Sequence, residues 1–555
     1  MMSNELAAAR PHAINSEERK VIFAASLGAV FEWYDFFLYG SLAALIAAQF
    51  FTSLNPTTAF VFALLTFAAG FIVRPIGALV FGRLGDLVGR KYTFLLTILI
   101  MGFSTVLVGL LPGYATLGVA APVILVVLRM LQGLALGGEY GAAATYVAEH
   151  APNDKRGGWT SWIQTTSTVG LLLSIVVILV VRTLTGKSFE VWGWRIPFLF
   201  SAVLLGISVY VRMSMHESPA FQKIKAEGKI SRAPLSEAFG QWRNLKLVLQ
   251  ALFGLLAGQA VVWFTALFYA MFFLTQTLKV DASTTNLLVG LALLISTPLY
   301  VFFGRLSDRI GRKPIILGGS LLASIFIVPI FHALTYFANP VLATAQESSP
   351  VVIVTDPKDC SFQFNPTGTA AFNSGCDVAR RVLSSNSASY ATVDAPAGST
   401  ARVKIGTTEI VAPSLKGMPP VQAKALEKEF QASTSKALRA AGYPQKADPE
   451  MVNQPMILVL LVVLMTFGAM TLGPIAAILV EMFPTRIRYS AMSLPYHIGN
   501  GYFGGLLPTI CFALVAQTGN IYFGLWYPVT VAAGSFVIGL LFIREPRPDS
   551  IYSDD

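Results

Sequence analysis

Charge is what this chain lacks most. Of its 555 residues only 13% are Asp, Glu, Lys or Arg, about half the share of a soluble globular protein. So little charge cannot cover a water-facing surface of this size, which excludes a soluble enzyme or a soluble nucleic-acid-binding protein. Cysteine is scarce, with three residues, and so is histidine, with five that are scattered at no metal-ligand spacing. A zinc site, an iron–sulfur centre or a disulfide-rich scaffold therefore finds no set of donors. The phosphate loop is incomplete as well. Gly186-Lys187-Ser188 has the end of one, but Val181 stands where its first glycine belongs, which argues against an ATP-driven pump and leaves no cofactor implied. The first 20 residues lack the basic start, short apolar core and small-residue cleavage site of a signal peptide, so the first apolar run is expected to insert uncleaved.

Apolar residues fill the space that charge leaves. They make up 54% of the chain, and the mean hydropathy is +0.62. A helix needs ~20 mainly apolar residues to cross the ~30 Å hydrocarbon layer. Runs of that kind fall near 21–50, 59–81, 92–111, 117–148, 159–182, 194–213, 246–276, 284–303, 314–336, 455–480, 489–516 and 522–543. The predicted fold is an all-α membrane protein with twelve transmembrane helices in two six-helix halves, 21–213 and 246–337 with 455–543. Residues 1–20 and 544–555 form short termini, and 214–245 a polar, basic linker.

The polar stretch 338–454 interrupts the second half between its ninth and tenth helices, and it reads as a small extracytoplasmic α+β insertion. Its 350s residues and Ala401–Val411 alternate like strands, and Pro420–Ala441, stopped by Gly442, reads as a surface helix. The net charge of +10 follows the same topology. The short segments on one side hold 23 Lys and Arg, those on the other side four, and the long polar stretch eleven. The positive-inside rule then places both termini in the cytoplasm and 338–454 outside, with no role for nucleic acid. Cys360 and Cys376 fall in that outer stretch, where a disulfide can persist.

An internal repeat supports two halves. Gly82-Arg-Leu-Gly-Asp-Leu-Val-Gly-Arg-Lys91 recurs as Gly304-Arg-Leu-Ser-Asp-Arg-Ile-Gly-Arg-Lys313, identical at seven of ten positions. Glu149-x-x-Pro152-x-x-x-Arg156 recurs as Glu481-x-x-Pro484-x-x-x-Arg488. The offsets are 222 and 332 residues, and their difference of 110 matches the polar stretch. Aligning Gly28 with Gly258 pairs Trp33 with Trp263 and Tyr39 with Tyr269, but Glu32 with Val262 and Asp35 with Thr265. Buried charge belongs to the first half.

Glu32 and Asp35 lie ~16–21 Å along the first helix, near the middle of the hydrocarbon layer. With Gly28 and Tyr39 they follow a 4-3-4 spacing and share one helical face. An acid at that depth costs at least ~2.5 kcal/mol unless paired, protonated or wet. Glu139 adds a third acid, and Arg74 and Arg129 supply two bases. One acid is therefore in surplus and is expected to hold a proton during part of a cycle. The plainer alternatives are a structural acid neutralised by a basic neighbour, a helix-packing ion pair at Arg74 and a satisfied helix-end acid at Glu139. In the second half, Gln259, Trp263, Tyr269, His497 and Asn500 are polar or amphipathic candidates for a cavity wall. Single aromatics in membranes more often pack than bind, and His497, beside Pro495 and Gly499, is either a proton relay or a bond to a backbone carbonyl.

These motifs resemble a known family. Gly82-x-Leu84-x-Asp86-x-x-Gly89-Arg90-Lys91 is similar to the signature loop of the major facilitator superfamily. Glu32-Trp33-Tyr34-Asp35-Phe36, Arg74-Pro75-x-Gly77, Arg129-x-x-Gln132-Gly133 and Gly137-Gly138-Glu139 are similar to its metabolite:H+ symporter family, the group of proline/betaine, shikimate, α-ketoglutarate and citrate carriers. The resemblance implies a secondary transporter of the bacterial inner membrane that takes up a small carboxylated or zwitterionic metabolite with protons, works as a monomer among lipids and is not an enzyme. It implies that Asp35 or Glu32 carries the coupling proton, with Arg129 as its partner or as a substrate clamp; Glu139 is kept as a third proton-coupling candidate, and Arg74, Tyr39 and the second-half candidates as substrate contacts. It also implies gating by Gly82, Asp86, Gly89 and Arg90, with Asp308 and Arg312 as their counterparts. A uniporter or exchanger of a neutral solute, and a membrane sensor with 338–454 as its receptor, remain as rivals. A sensor needs a cytoplasmic output module, and no cytoplasmic segment exceeds about 35 residues.

Overall fold

The computed structural model describes residues 16–54, 56–88, 90–138, 140, 141, 144, 147, 148, 151–213, 234–362, 372–483 and 487–546. The first half is built from α1 (Ser16–Ser41), α2 (Ala43–Phe50), α3 (Pro56–Ile72), α4 (Arg74–Val88), α5 (Arg90–Leu110), α6 (Ala120–Gly137), α7 (Arg156–Phe189) and α8 (Arg195–Met213). The second half contains α9 (Trp242–Thr277), α10 (Ala282–Ile310), α11 (Arg312–Ala338), α14 (Gln454–Met482), α15 (Ser490–Thr518) and α16 (Phe523–Phe542). Among the described residues, eight of these helices, α6, α7, α9, α10, α11, α14, α15 and α16, are long and apolar enough to cross a membrane. Three shorter apolar helices, Leu65–Phe81, Leu95–Leu110 and Arg195–Tyr210, accompany them.

The first apolar run, read as one helix over 21–50, is broken. Leu42 leaves helical geometry at φ −108°, ψ 13°, and the two pieces meet at 61°. The bend follows Gly40, where an added Cβ would stand 3.0 Å from both Phe67 and Phe268. Close packing of aromatics against a bare backbone sets the position of the break, and a hydropathy window does not register it.

Between α11 and α14 lies a four-stranded sheet in the order β2-β1-β3-β4, with β1 (Val351–Thr355), β2 (Tyr390–Asp394), β3 (Arg402–Ile405) and β4 (Thr408–Val411). β1 and β2 run parallel, joined through α12 (Gly375–Ser385), and β1–β3 and β3–β4 are antiparallel. Alternate residues Val351, Ile353 and Thr355 of β1 are buried, as a sheet with one covered face requires. α13 (Pro420–Ala440) follows, with proline at its start. The unit is bonded to the helical bundle through its backbone. Tyr390 N donates to Gly519 O at 3.0 Å, Ala447 N to Lys279 O at 3.1 Å and Asn453 N to Phe337 O at 2.9 Å. Burial at this seam pushes the Tyr390 phenol up to about 12, and its hydroxyl donates to Ala516 O at 3.0 Å.

Two long crossings join the halves, α7 with α10 and α4 with α15. The first is made close by small residues. A Cβ at Gly157 would lie 2.5 Å from Gly304 O, and one at Gly304 would lie 2.5 Å from Ser161 Cβ. Gly304 therefore serves helix contact, and α10 runs on past it through Ile310. The turn is made by Gly311 alone, at φ +100°, a conformation that glycine adopts without strain.

Candidate functional site

Two small adjoining pockets, together one cavity, lie between the halves. The first half lines it with Glu32 and Trp33 of α1, Arg74 of α4, and Gln164 and Ser167 of α7. The second half lines it with Gln259 and Trp263 of α9 and with Tyr496, His497 and Asn500 of α15. Both second-half helices carry π turns at this level, Leu252–Leu256 and Thr265–Tyr269 in α9 and Gly499–Gly504 in α15. A π turn shifts the register of the following face, and here it aims polar side chains inward from otherwise apolar spans.

Arg74 is the chemical centre of this cavity. It is 1% exposed, and its guanidinium lies 4.0 Å from the Phe71 ring centre, 4.3 Å from Phe36 and 5.0 Å from Trp33. The rings hold the cation, yet Nε and Nη2 have no hydrogen-bond partner. Buried guanidinium donors left open at a cavity wall suit the two oxygens of a carboxylate. Across the cavity both amide atoms of Gln259 are also buried without partners. Trp263 Nε1 donates to Tyr300 Oη at 3.1 Å, and Asn500 Nδ2 to Tyr496 O at 3.0 Å. His497 is buried at the edge formed by Tyr140 and Tyr496.

Both ends of the cavity are closed by contacts between the halves. On one side, aromatic rings interlock. Phe37 lies 5.8 Å from Trp263 and 5.4 Å from Phe268, Phe67 lies 5.1 Å from Phe268, and Phe71 lies 5.1 Å from Phe264. On the other side Tyr140 stacks on Tyr496 at 3.5 Å, steadied by Gln164 Nε2 donating to Tyr140 Oη at 2.7 Å.

Beyond the tyrosines lies a charge latch. The amides of Gly157 and Gly158, at the N-terminus of α7, donate to the two oxygens of Asp308 at 2.7 and 2.8 Å. A carboxylate at a helix N-terminus gains from both the open N–H groups and the helix dipole. Arg312 Nη2 reaches Asp308 at 3.0 Å and Glu481 at 3.1 Å, and Arg156 Nη1 reaches Glu481 at 2.9 Å. Glu545 adds a cap by accepting from the amides of Arg312 and Lys313, while Lys313 Nζ donates to Leu540 O and Ile543 O.

The four residues of the 4-3-4 set do not meet in one place. Glu32 lines the cavity, but Asp35 faces the hydroxyls of Thr105 and Ser201 inside the first half. Arg129 is also outside the cavity wall. It is fully buried, stacked 4.4 Å from Phe36 and 4.6 Å from Tyr39, and its Nη1 donates to Gln132 Oε1 and to Phe36 O. Tyr39 supports it as a ring and donates its hydroxyl to Ala63 O at 3.1 Å. Tyr269 packs among Phe273, Phe331 and Phe512, away from the cavity. The reason is helical geometry: positions three apart are offset by about 60° around the axis, enough to send neighbouring acids into different helix seams.

Glu139 and Gly89, and the side chains of Asp86 and Arg90, lie outside the described residues, whereas Gly82 falls within α4. Cys360 and Cys376 face each other with Cα atoms 5.1 Å apart, their sulfurs within bonding distance. Arg156 and Glu481 are latch residues with no motif role of their own, although the repeated Glu-x-x-Pro-x-x-x-Arg spacing contains both. Tyr140, Gln164 and Ser167 had no signal beyond polarity inside apolar runs.

Two helical bundles meeting around a charged cavity define a major facilitator fold. The chain belongs to the sugar (and other) transporter family: the model of that family matches residues 21–241 and 437–545, and the MFS/sugar transport protein model matches 142–355. The Proline/betaine transporter of Escherichia coli strain K12 is 37% identical over 328 residues, covering 56% of this chain and 64% of that protein's length, a little under two thirds. The Shikimate transporter of the same strain is 38% identical over 329 residues, 58% of this chain and 73% of that one. Among solved structures, the partially occluded inward-open xylose transporter XylE from E. coli shares the fold, with a TM-score of 0.60 at 15% identity over 95% of this chain and 98% of its own. All of these relatives are transporters.

Proposed function

We propose that this chain is a proton-coupled symporter that takes up a small carboxylated or zwitterionic metabolite by alternating access. Arg74 carries the reading: its two open, buried donors at the cavity wall ask for an anionic group. Glu32 lines the same cavity and suits an ammonium group or a proton. The carboxylate end of a zwitterion would then meet Arg74, with Gln259 and Asn500 across from it. Asp35 holds the coupling proton in a separate seam, so proton and substrate act on the same helix, α1, from different sides. The transporters this chain is similar to, for proline/betaine and for shikimate, support a carboxylated solute.

The eight long spans, the bent pair Ala29–Ser41 with Ala43–Phe50 and the three shorter apolar helices together make twelve crossings of a bacterial inner membrane. Both termini then lie in the cytoplasm, the latch closes the cytoplasmic side, and 338–454 forms an outer α+β cap held by a Cys360–Cys376 disulfide. The carrier works as a monomer. The test is uptake of labelled proline, glycine betaine, shikimate and α-ketoglutarate by proteoliposomes with and without an inward proton gradient. At least one is expected to accumulate only with the gradient. Uptake that equilibrates equally with and without it would favour uniport of a neutral solute.

A further inference from the structure

Two polar side chains stand between Asp35 and Arg129, and neither touches the cavity. Arg129 Nη1 donates to Gln132 Oε1, Gln132 Nε2 donates to Thr105 Oγ1 at 2.7 Å, and Thr105 in turn faces the Asp35 carboxyl. All four residues are buried, on α1, α5 and α6. A hydroxyl has one proton to give. In this structure Thr105 Oγ1 gives it to the Met101 carbonyl of its own helix at 3.0 Å, and Asp35 Oδ1 has no partner. An acceptor-only carboxylate left in that position is costly, whereas a protonated carboxyl at the same place is tolerated.

We infer that Thr105 and Gln132 are positioning residues that carry the proton state of Asp35 to Arg129. With Asp35 protonated, Thr105 donates to Met101 O, 3.0 Å away. When the proton leaves Asp35 for water, the Thr105 hydroxyl turns to the carboxylate. The chain then runs one way, from guanidinium through amide and hydroxyl to carboxylate, and the cation and anion compensate each other through two neutral groups. Reprotonation breaks the last link and leaves the Arg129 charge to its ring contacts with Phe36, Tyr39 and Phe67. Those rings adjoin the interlocked aromatics that close one end of the cavity. Other groups near Asp35 are Tyr34, whose hydroxyl donates to Pro197 O at 2.7 Å, the Ser201 hydroxyl of α8, and Glu32 one turn earlier.

This inference rests on Asp35 being the proton carrier, and its test separates the two ideas without needing the substrate. Infrared difference titration of the full-length protein in liposomes is expected to show one carboxyl C=O band that disappears in Asp35→Asn. In Thr105→Val, which removes the donor but keeps the shape, the midpoint of that band should move up by about one pH unit, tenfold tighter proton binding. Thr105→Ser should restore the wild-type midpoint. Gln132→Leu should shift it the same way, and the Thr105→Val/Gln132→Leu pair should shift it no further than the larger single change, because both cut one chain. An Asp35-dependent band with the wild-type midpoint in both single variants, or strictly additive shifts, overturns the relay but not the carrier. A titrating band that survives in Asp35→Asn overturns the carrier and the relay with it.

Discussion

Glu481→Gln perturbs the latch at its most connected atom while keeping the side chain's shape. Glu481 Oε1 accepts from Arg156 Nη1 at 2.9 Å and from Arg312 Nη2 at 3.1 Å, and the Glu481 and Arg156 side chains have no solvent exposure. Removing one partner of a buried ion pair costs ~3–5 kcal/mol, because a charge is left without its counterion in low dielectric. The lower end applies here, since Arg312 keeps Asp308 at 3.0 Å. That penalty falls on the latched state alone. An opened latch exposes the same groups to water, so the equilibrium moves toward the open state by ~3 kcal/mol, roughly 150-fold. The assay places a thiol at Ser167→Cys, a buried position on the cavity wall, and measures its reaction with an impermeant maleimide added from the latch side. The other thiol outside the sheet unit, Cys511, is buried. Labelling should rise tenfold or more in the Glu481→Gln background. A rate within twofold of the parent, in protein that is folded and inserted, would refute the latch.

Arg74→Lys should lose substrate binding at least tenfold, because a point charge does not replace a planar donor pair, whereas Arg129→Lys should bind substrate nearly normally and lose gradient-driven accumulation; equilibrium binding beside accumulation separates them. Gly304→Leu should block tight closure of α7 on α10, where a Cβ already meets Ser161 at 2.5 Å, and should raise the same maleimide labelling. Replacing 340–452 with a short Gly/Ser linker should leave an inserted carrier with maximal rate and half-saturation within twofold of the parent. A tenfold rise in half-saturation would make the sheet unit a substrate-capturing domain. Cys360 and Cys376 should resist thiol labelling until reduced, since the bond closes a loop worth ~3 kcal/mol in the chain-entropy model.

Much of the fold was legible because membranes write in a coarse script. Spans follow from apolar length, and the second-half latch lies in the repeated segment that ends at Lys313. What composition could not show is where backbone regularity fails. The bend at Leu42 comes from aromatics packed on Gly40, and the π turns beside Gln259 and at Asn500 leave no local signature. The cavity was half legible: Glu32, Arg74, Gln259, Trp263, His497 and Asn500 line it, but Asp35 and Arg129 do not. A shared helical face in sequence became two seams once α5, α6 and α8 packed on α1. Arg156 and Glu481 were visible as an echo of spacing, but only three-dimensional pairing across the halves reveals what the echo holds together. Tyr140 on Tyr496 was invisible for the same reason.

The most direct measurement is accumulation in proteoliposomes of whichever labelled metabolite is taken up, under an imposed inward proton gradient, for the wild type and for Asp35→Asn. Symport coupled at Asp35 predicts concentration above the external level in the wild type and, in the variant, entry that only equilibrates while counterflow exchange persists. Equal accumulation by both, at equal insertion, would contradict it.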